Sequence, residues 1–204
     1  MFRLQRFGLI AICLGVASCA TRLERPSGER NITEGVTTYE QVVKAFGRPA
    51  AETRNSNGKR LVSYYQTRAR RSFDSVMFGR LAKNQGQVEL RHLDIVFSPQ
   101  KIVEHYHYFE SAEQVRSRFS HIEIGTAVDD AKLGRLKKGS TTRTELLEML
   151  GPPVMEGLNF DGQIVLSWLY ARIASINSRD MQILSAILDK NGNVQDYKVN
   201  QRVR

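Results

Sequence analysis

Cysteine is nearly absent: Cys13 and Cys19 are the only two in the 204-residue chain, and both lie in its first tenth. If that N-terminal stretch is removed before Cys19, no disulfide framework can form. With no other thiol in the chain, thiolate catalysis and a CxxC metal or redox motif are excluded. Tryptophan occurs once and histidine four times. After the first two dozen residues no apolar run reaches the length that crosses a bilayer as a helix. A P-loop, a nucleophile elbow, an HExxH helix and a Gly-rich dinucleotide fingerprint are all missing. Stability therefore has to come from a hydrophobic core. With 41% apolar composition, roughly 175 residues suffice for one sizeable core or two small ones.

The chain begins like a secretion signal. Arg3 and Arg6 form a positive segment, and Phe7 to Ser18 form an apolar one too short to span a bilayer stably. The run Val16-Ala17-Ser18-Cys19 resembles the lipobox of bacterial lipoproteins. That resemblance implies that Cys19 takes a diacylglyceryl group on its thiol, that residues 1–18 are cleaved, and that the new amine is acylated. Two or three acyl chains anchor a protein essentially permanently. Ala20, in place of an aspartate, implies sorting to the outer membrane by the enterobacterial rule. Residues 19–30, polar and with Pro26, Ser27 and Gly28, read as the lipidated Cys and a flexible tether.

Charge is unbalanced. Thirty Lys+Arg against 21 Asp+Glu give +9, and about +7 once Arg3 and Arg6 leave with the leader. A basic balance often signals nucleic acid, but beyond the inner membrane that partner is absent. The available polyanions are phospholipid headgroups, lipopolysaccharide phosphates and acidic protein surfaces.

Gly35 to Pro49 repeats as Gly139 to Pro153, at an offset of 104 without a gap. Thr38-x-x-Gln41 and Thr142-x-x-Glu145 are capping boxes that start helices. Val42, Val43 and Phe46 recur as Leu146, Leu147 and Leu150 on one helical face. Gly47 and Gly151 fit the left-handed stop position, and Pro49 and Pro153 block continuation. Asn57-Gly58 and Asp161-Gly162 then mark hairpins. A second hairpin follows in each copy, around Ser98 to Lys101 and around Asp189 to Gly192. The pattern predicts an α+β fold of two tandem units, over 31–119 and 120–204, each a short helical element followed by a roughly four-stranded antiparallel meander. Ser111-x-x-Gln114 suggests a further helix to about Phe119. Residues 120–136 read as a connector or a first helical turn, and Thr67 to Val88 as a basic insertion in the first copy.

The G-x-T…G-x-P pattern, with the hairpin aromatics, resembles the SmpA/OmlA group of lipoproteins of the outer-membrane β-barrel assembly machinery. It is also similar to the β-lactamase-inhibitor protein, in which two such units stand in tandem. The matching residues are Gly35, Thr37, Val42, Gly47 and Pro49, then Gly139, Thr141, Leu146, Gly151 and Pro153, with Trp168 and Tyr170. The resemblance implies an outer-membrane-anchored lipoprotein, facing the periplasm, that binds proteins and supports outer-membrane assembly or envelope integrity. It also leaves open an inhibitor or modulator of a periplasmic enzyme that uses the tandem sheet face, and a structural lipoprotein that contacts lipid or lipopolysaccharide.

Candidate chemistry is sparse. Glu104, His105 and His107, with His92 on the next strand, are read as exposed strand residues and not as a metal site. Asp129-Asp130 and Glu110 with Glu113 are read as surface and helix-start charges. The chain is expected not to be an enzyme and to use no cofactor or metal. The surface candidates are Arg68, Arg70, Arg71, Arg80 and Lys83, for anionic headgroups or an acidic partner. Tyr64, Tyr65, Trp168 and Tyr170 are the candidates for a protein-binding face.

Overall fold

The computed structural model describes residues 23–72, 85–118, 121–125, 127–175 and 178–203. After a 3₁₀ turn at Gly28–Arg30 come α1 (Tyr39–Phe46), β1 (Ala51–Arg54), β2 (Arg60–Ser72), β3 (Gln85–Phe97), β4 (Val103–Arg118) and β5 (His121–Ile124). Then follow α2 (Asp130–Leu133), α3 (Arg143–Leu150), β6 (Met155–Leu158), β7 (Ile164–Ser175), β8 (Ser178–Leu188) and β9 (Val194–Val203). The strands form one antiparallel sheet in the order β1-β2-β3-β4-β5-β7-β8-β9. β6 shares one edge of β7 with β5: β6 takes residues 164–167 and β5 takes 171–173. Short helices against an antiparallel sheet make the fold α+β.

The helices form where the capping chemistry puts them. Thr38 accepts from the Gln41 amide while the Gln41 side chain accepts from the Thr38 amide, and Thr142 with Glu145 does the same. Each helix docks on the sheet through one fully buried residue, Val42 or Leu146. Beneath α1 lies a cluster of Leu23, Ile32, Val62, Tyr64, Leu93, Ile95, Phe97 and Val103. Beneath α3 lies a second one of Leu166, Trp168, Leu184, Ala186, Leu188 and Val194.

Backbone bonds recur at the sequence offset. Ala50 N–H donates to Ser63 O at 3.0 Å and Val154 N–H to Ser167 O at 2.9 Å. Tyr64 Oη donates to Gly47 O at 2.9 Å, and Trp168 Nε1 to Gly151 O at 3.0 Å. In the second hairpins the spacing is 13 residues shorter: Gly35 N–H meets Val103 O, while Gly139 N–H meets Val194 O.

Gly47 and Gly151 do have positive φ, 83° and 78°, but their ψ values are −163° and −173°. This is not the left-handed helical stop expected from the sequence. It is a more restricted region that glycine nearly alone occupies. The conformation turns each carbonyl toward the sheet, where Tyr64 or Trp168 donates to it. Since nothing lies within 4 Å of an added Cβ at either site, Gly47→Ala or Gly151→Ala should lower stability by backbone strain alone, about 1–3 kcal/mol. Equilibrium denaturation of each variant checks this.

Three sequence expectations change. Ser111 to Arg118 is strand and not helix, because it continues the β3 ladder, with Ala112 opposite Glu89 and Gln114 opposite Gln87. The described ends of Thr67 to Val88 are also strand: Thr67 to Ser72 pairs with Gln85 to Leu90 and lengthens the β2–β3 hairpin. Nor is the tether loose throughout. Leu23 is buried in the first cluster, its amide donates to Gln66 Oε1 at 3.2 Å, and its carbonyl accepts from Arg91 Nη1 at 3.1 Å. Residues 120–136 do include a helical turn, α2, capped by Asp129.

Candidate functional site

The helices cover one face of β2–β4. Alternation puts Ser63, Tyr65, His92, Asp94, His107, Phe109 and Ser111 on the other, and the unpaired edge of β6 lies across it. Leu158 N–H donates to Asp94 Oδ2 at 2.8 Å, His92 Nδ1 donates to Glu156 O at 2.8 Å, and Ser111 Oγ donates to Val154 O at 2.8 Å. Side chains thus satisfy a strand edge that would otherwise be an orphaned row of backbone groups. Gly157 lets the strand approach this closely: a Cβ there would stand 2.5 Å from Asp94 Oδ2 and 3.1 Å from His92 Cε1.

Charges complete the junction. His92 Nε2 lies 3.0 Å from Asp94 Oδ1, which also accepts from Ser63 Oγ at 2.5 Å. Glu156 reaches His107 Nε2 at 3.1 Å through one oxygen and Arg143 Nη2 at 2.6 Å through the other. His92, Asp94 and Glu156 are each about 5% exposed, so the pairs are desolvated. Burial works to lower the His92 pKa, but the hydrogen bond and charge of Asp94 and the Glu156 carbonyl outweigh it and raise the pKa above 6.5. Both ring nitrogens face acceptors, an arrangement that favours the protonated imidazole. Burial pushes the Glu156 carboxyl up, whereas hydrogen bonds from His107 and Arg143 bring it down to a net value below 4.5.

Ser63, His92 and Asp94 are the residue types of a hydrolytic triad, but they are wired differently. Serine donates to the carboxylate and not to the imidazole, so the histidine is not placed to deprotonate it. The arrangement locks two parts of the sheet together.

Of the residues singled out from the sequence, Cys19, Arg80 and Lys83 lie outside the described residues. Arg70 and Arg71 lie in β2 opposite Gln87 and Gly86. Arg68 is exposed and, with Gln66, Thr67, Glu89 and Arg91, lines a recess of about 300 Å³. Tyr64 and Trp168 do not form a binding face: both are 5% exposed and bonded to the glycines that end α1 and α3. Burial pushes the Tyr64 phenol well above its usual range, which keeps it a donor. Tyr65, on the opposite face, is 57% exposed. Tyr170 is half-buried on the side of the sheet that bears Trp168.

The histidines differ from expectation too. His92 is buried and His107 is half-buried against Glu156, while Glu104 pairs with Lys59 at 2.8 Å. The acidic candidates have separate structural partners, since Asp129 caps α2 and Glu110 pairs with Arg91 at 3.2 Å. Asp94, Glu156 and Gly157 were not among the candidate site residues read from the sequence.

Across β7 and β8 the face away from the helices is apolar around a central Ser167–Ser185 pair, whereas β9 contributes polar residues to it. The register sets Val165 beside Ile187 and Leu169 beside Ile183, with Ala171 beside Met181. Met155 and Met181 are 37% and 38% exposed. Asp196, Lys198 and Asn200 of β9 border the patch. No protein-family model, curated protein or solved structure matches the chain.

Proposed function

We propose that this chain is an envelope lipoprotein, anchored through Cys19 in the outer membrane and facing the periplasm, whose task is to bind proteins. It is built from two tandem units of like design, 31–119 and 120–204, and supports outer-membrane protein assembly or envelope integrity. The lipobox resemblance and the paired capping boxes support the anchor and the units.

One observation carries the binding role. In the first unit the sheet face away from the helix is polar and seats the β6 edge. In the second unit the corresponding positions are Leu169 for Tyr65, Ile183 for His92, Ser185 for Asp94 and Lys198 for His107. On β7 and β8 that face carries the half-buried Val165, Leu169, Ile183 and Ile187 around Ser167 and Ser185, and on β9 it is polar. An apolar face with a charged rim is the anatomy of a protein-docking surface. Its occupant is an extended, apolar segment of a partner protein laid across β7–β9, as β6 lies across β2–β4.

The test is co-purification of the lipidated protein from native membranes, comparing wild type with Ile183→Glu/Ile187→Ser. The double variant is expected to lose its protein partner at least tenfold while its thermal unfolding stays within a few degrees of wild type. A barrel-assembly complex lost in this way supports the assembly role, and a soluble enzyme supports a modulator. Unchanged recovery of the partner would sink the assignment of this face.

A further inference from the structure

The sheet has two outer strands, and they differ. β1 is four residues long, and its Glu52 pairs with Arg54 at 3.6 Å and with Arg60 at 3.0 Å. β9 is ten residues long, contains neither proline nor glycine, and among the described strands pairs only with β8. A long, regular edge strand is a template for another strand unless something blunts it. In the first unit the corresponding strand, β4, already takes an antiparallel strand on this edge, where residues 115–118 pair with β5.

Only part of the β9 edge is open. At its start, Val194 N–H donates to Thr141 O and Val194 O accepts from Gly139 N–H, both at 2.7 Å. Gln195 is then an extra residue, since Ile187 faces Asp196 and Leu188 faces Val194. Such a bulge shifts the alternation by one, so beyond it the outward backbone groups belong to Tyr197, Val199, Gln201 and Val203. The Tyr197 amide agrees: it donates at 2.9 Å to Asp196 Oδ1, a side chain, and not to β8.

The open stretch, Gln195 to Val203, complements itself. In an antiparallel pair of two copies, residues opposite each other share a face, so the two-fold falls on one residue. Centred on Val199, the register sets Asp196 opposite Arg202 at two places, Lys198 opposite Asn200, and Tyr197 opposite Gln201. Outward groups then meet outward groups, and the pairs 197–201, 199–199 and 201–197 each exchange two backbone hydrogen bonds. Neighbouring registers fail. A centre at 198 sets Lys198 against its own copy, and a centre at 200 sets Lys198 against Arg202; like charges directly opposite are unfavourable. A centre at 197 sets Asn200 opposite Val194, whose outer side residues 139–141 already fill.

We propose that the β9 edge is a self-recognition surface: two copies of this chain join antiparallel through residues 195–203, centred on Val199, so that the two sheets become one. The single copy caps the edge with its own side chains. Asp196 Oδ1 holds the Tyr197 amide and, at 2.5 Å, Lys138 Nζ, which lies 5.8 Å from the Tyr197 ring centre. The Lys138 and Asp196 side chains are 60% and 56% exposed, and an exposed ion pair holds weakly. The cap therefore yields to a strand that offers Tyr197 a backbone carbonyl and places an arginine opposite Asp196. The two-fold stands perpendicular to the sheet, so both helical layers fall on one side and both apolar β7–β8 patches on the other. This goes beyond the proposed function, which places a partner protein on that face; either reading stands without the other.

The test is sedimentation equilibrium of the full chain in a non-ionic detergent, which keeps its N-terminal segment dispersed. Wild type is expected to dimerise reversibly in the micromolar range. Asp196→Arg and Arg202→Asp each set like charges opposite at both places and should each weaken the dimer at least tenfold. A one-to-one mixture of the two variants sets opposite charges at both places again, and should associate within about threefold of wild type. Recovery in the mixture needs both variants folded, so it separates recognition from loss of structure. Val199→Pro removes an outward N–H that β8 does not use, a change edge strands tolerate, and should leave a monomer.

A wild-type chain that stays monomeric overturns the proposal, as does a dimer that survives Val199→Pro. Single variants that dimerise like wild type, or a mixture no tighter than the variants alone, overturn the register and the proposal with it. Loss of the dimer with the partner protein still bound to the β7–β8 face would leave the proposed function untouched.

Discussion

Asp94→Ala is expected to cost about 3–5 kcal/mol of stability, because it breaks the buried His92–Asp94 pair by removing one partner. The same change strands the Leu158 amide, which Asp94 Oδ2 accepts at 2.8 Å, and frees the Ser63 hydroxyl. For a chain of this size, each kcal/mol moves the melting temperature by about 2–4 °C, so a fall on the order of 10 °C should appear in a thermal scan. Asp94→Asn should cost less, about 1–2 kcal/mol. Its carbonyl can still accept from Leu158, and its amide can donate to Nε2 of a neutral His92.

The two variants also separate in their pH dependence. The His92 pKa is raised in the folded state, so the stability it contributes is fully present below its ordinary value of 6.5 and is lost as pH climbs through the raised value. The Glu156 pKa is lowered, so its contribution is present above 4.5 and is lost as pH falls through the depressed value. The groups facing these two are Asp94, Tyr65, His107 and Arg143, on β3, β2, β4 and α3. The junction is therefore tightest between about pH 4.5 and 6.5. In Asp94→Asn the alkaline flank should flatten, since His92 no longer gains from being charged, while the acid flank set by Glu156 persists. Chemical denaturation at a series of pH values measures both flanks. An alkaline flank unchanged in Asp94→Asn would remove His92 from the account.

The helices were legible in the sequence and the junction was not, for reasons of range. Thr38 and Gln41, like Thr142 and Glu145, act within one turn, so the residues that start each helix are adjacent in the chain. Strand ends are decided elsewhere. Ser111 to Gln114 carries a good capping pattern, but β3 offers a ladder along its whole length, and the long-range bonds win. Leu23 looked like part of a loose tether because its neighbours are polar. Its partners, Gln66 and Arg91, are 43 and 68 residues away. His92 and Glu156 are 64 apart, so nothing local announces them. The signal that did exist lay in comparing the two halves. Where the first has Tyr65, His92, Asp94 and His107, the second has Leu169, Ile183, Ser185 and Lys198. Polar groups that recur in only one half mark the face that needed partners.

Gly157→Thr is expected to open the junction. Thr53 is the residue that stands 104 positions before Gly157, and there it is exposed on the free edge strand β1. A branched side chain at 157 would meet Asp94 Oδ2 at 2.5 Å from its first carbon alone, and the His92 ring just beyond. Backbone strain is not the cause, because Gly157 is not among the positive-φ glycines. The cost is overpacking, about 1–3 kcal/mol for extra atoms in a filled site. To it is added the loss of the Leu158 and Glu156 hydrogen bonds as β6 is pushed outward, about 1 kcal/mol each. In hydrogen exchange, the Leu158 amide should lose protection by at least tenfold, while the Val42 amide in α1 keeps its own. Relief should come from making room: Gly157→Thr combined with Asp94→Ser, the residue found at 185, is expected to cost less than the sum of the two single changes. Additive losses would mean that the side chain at 157 does not press on Asp94, and that the close approach of β6 is not what requires a glycine.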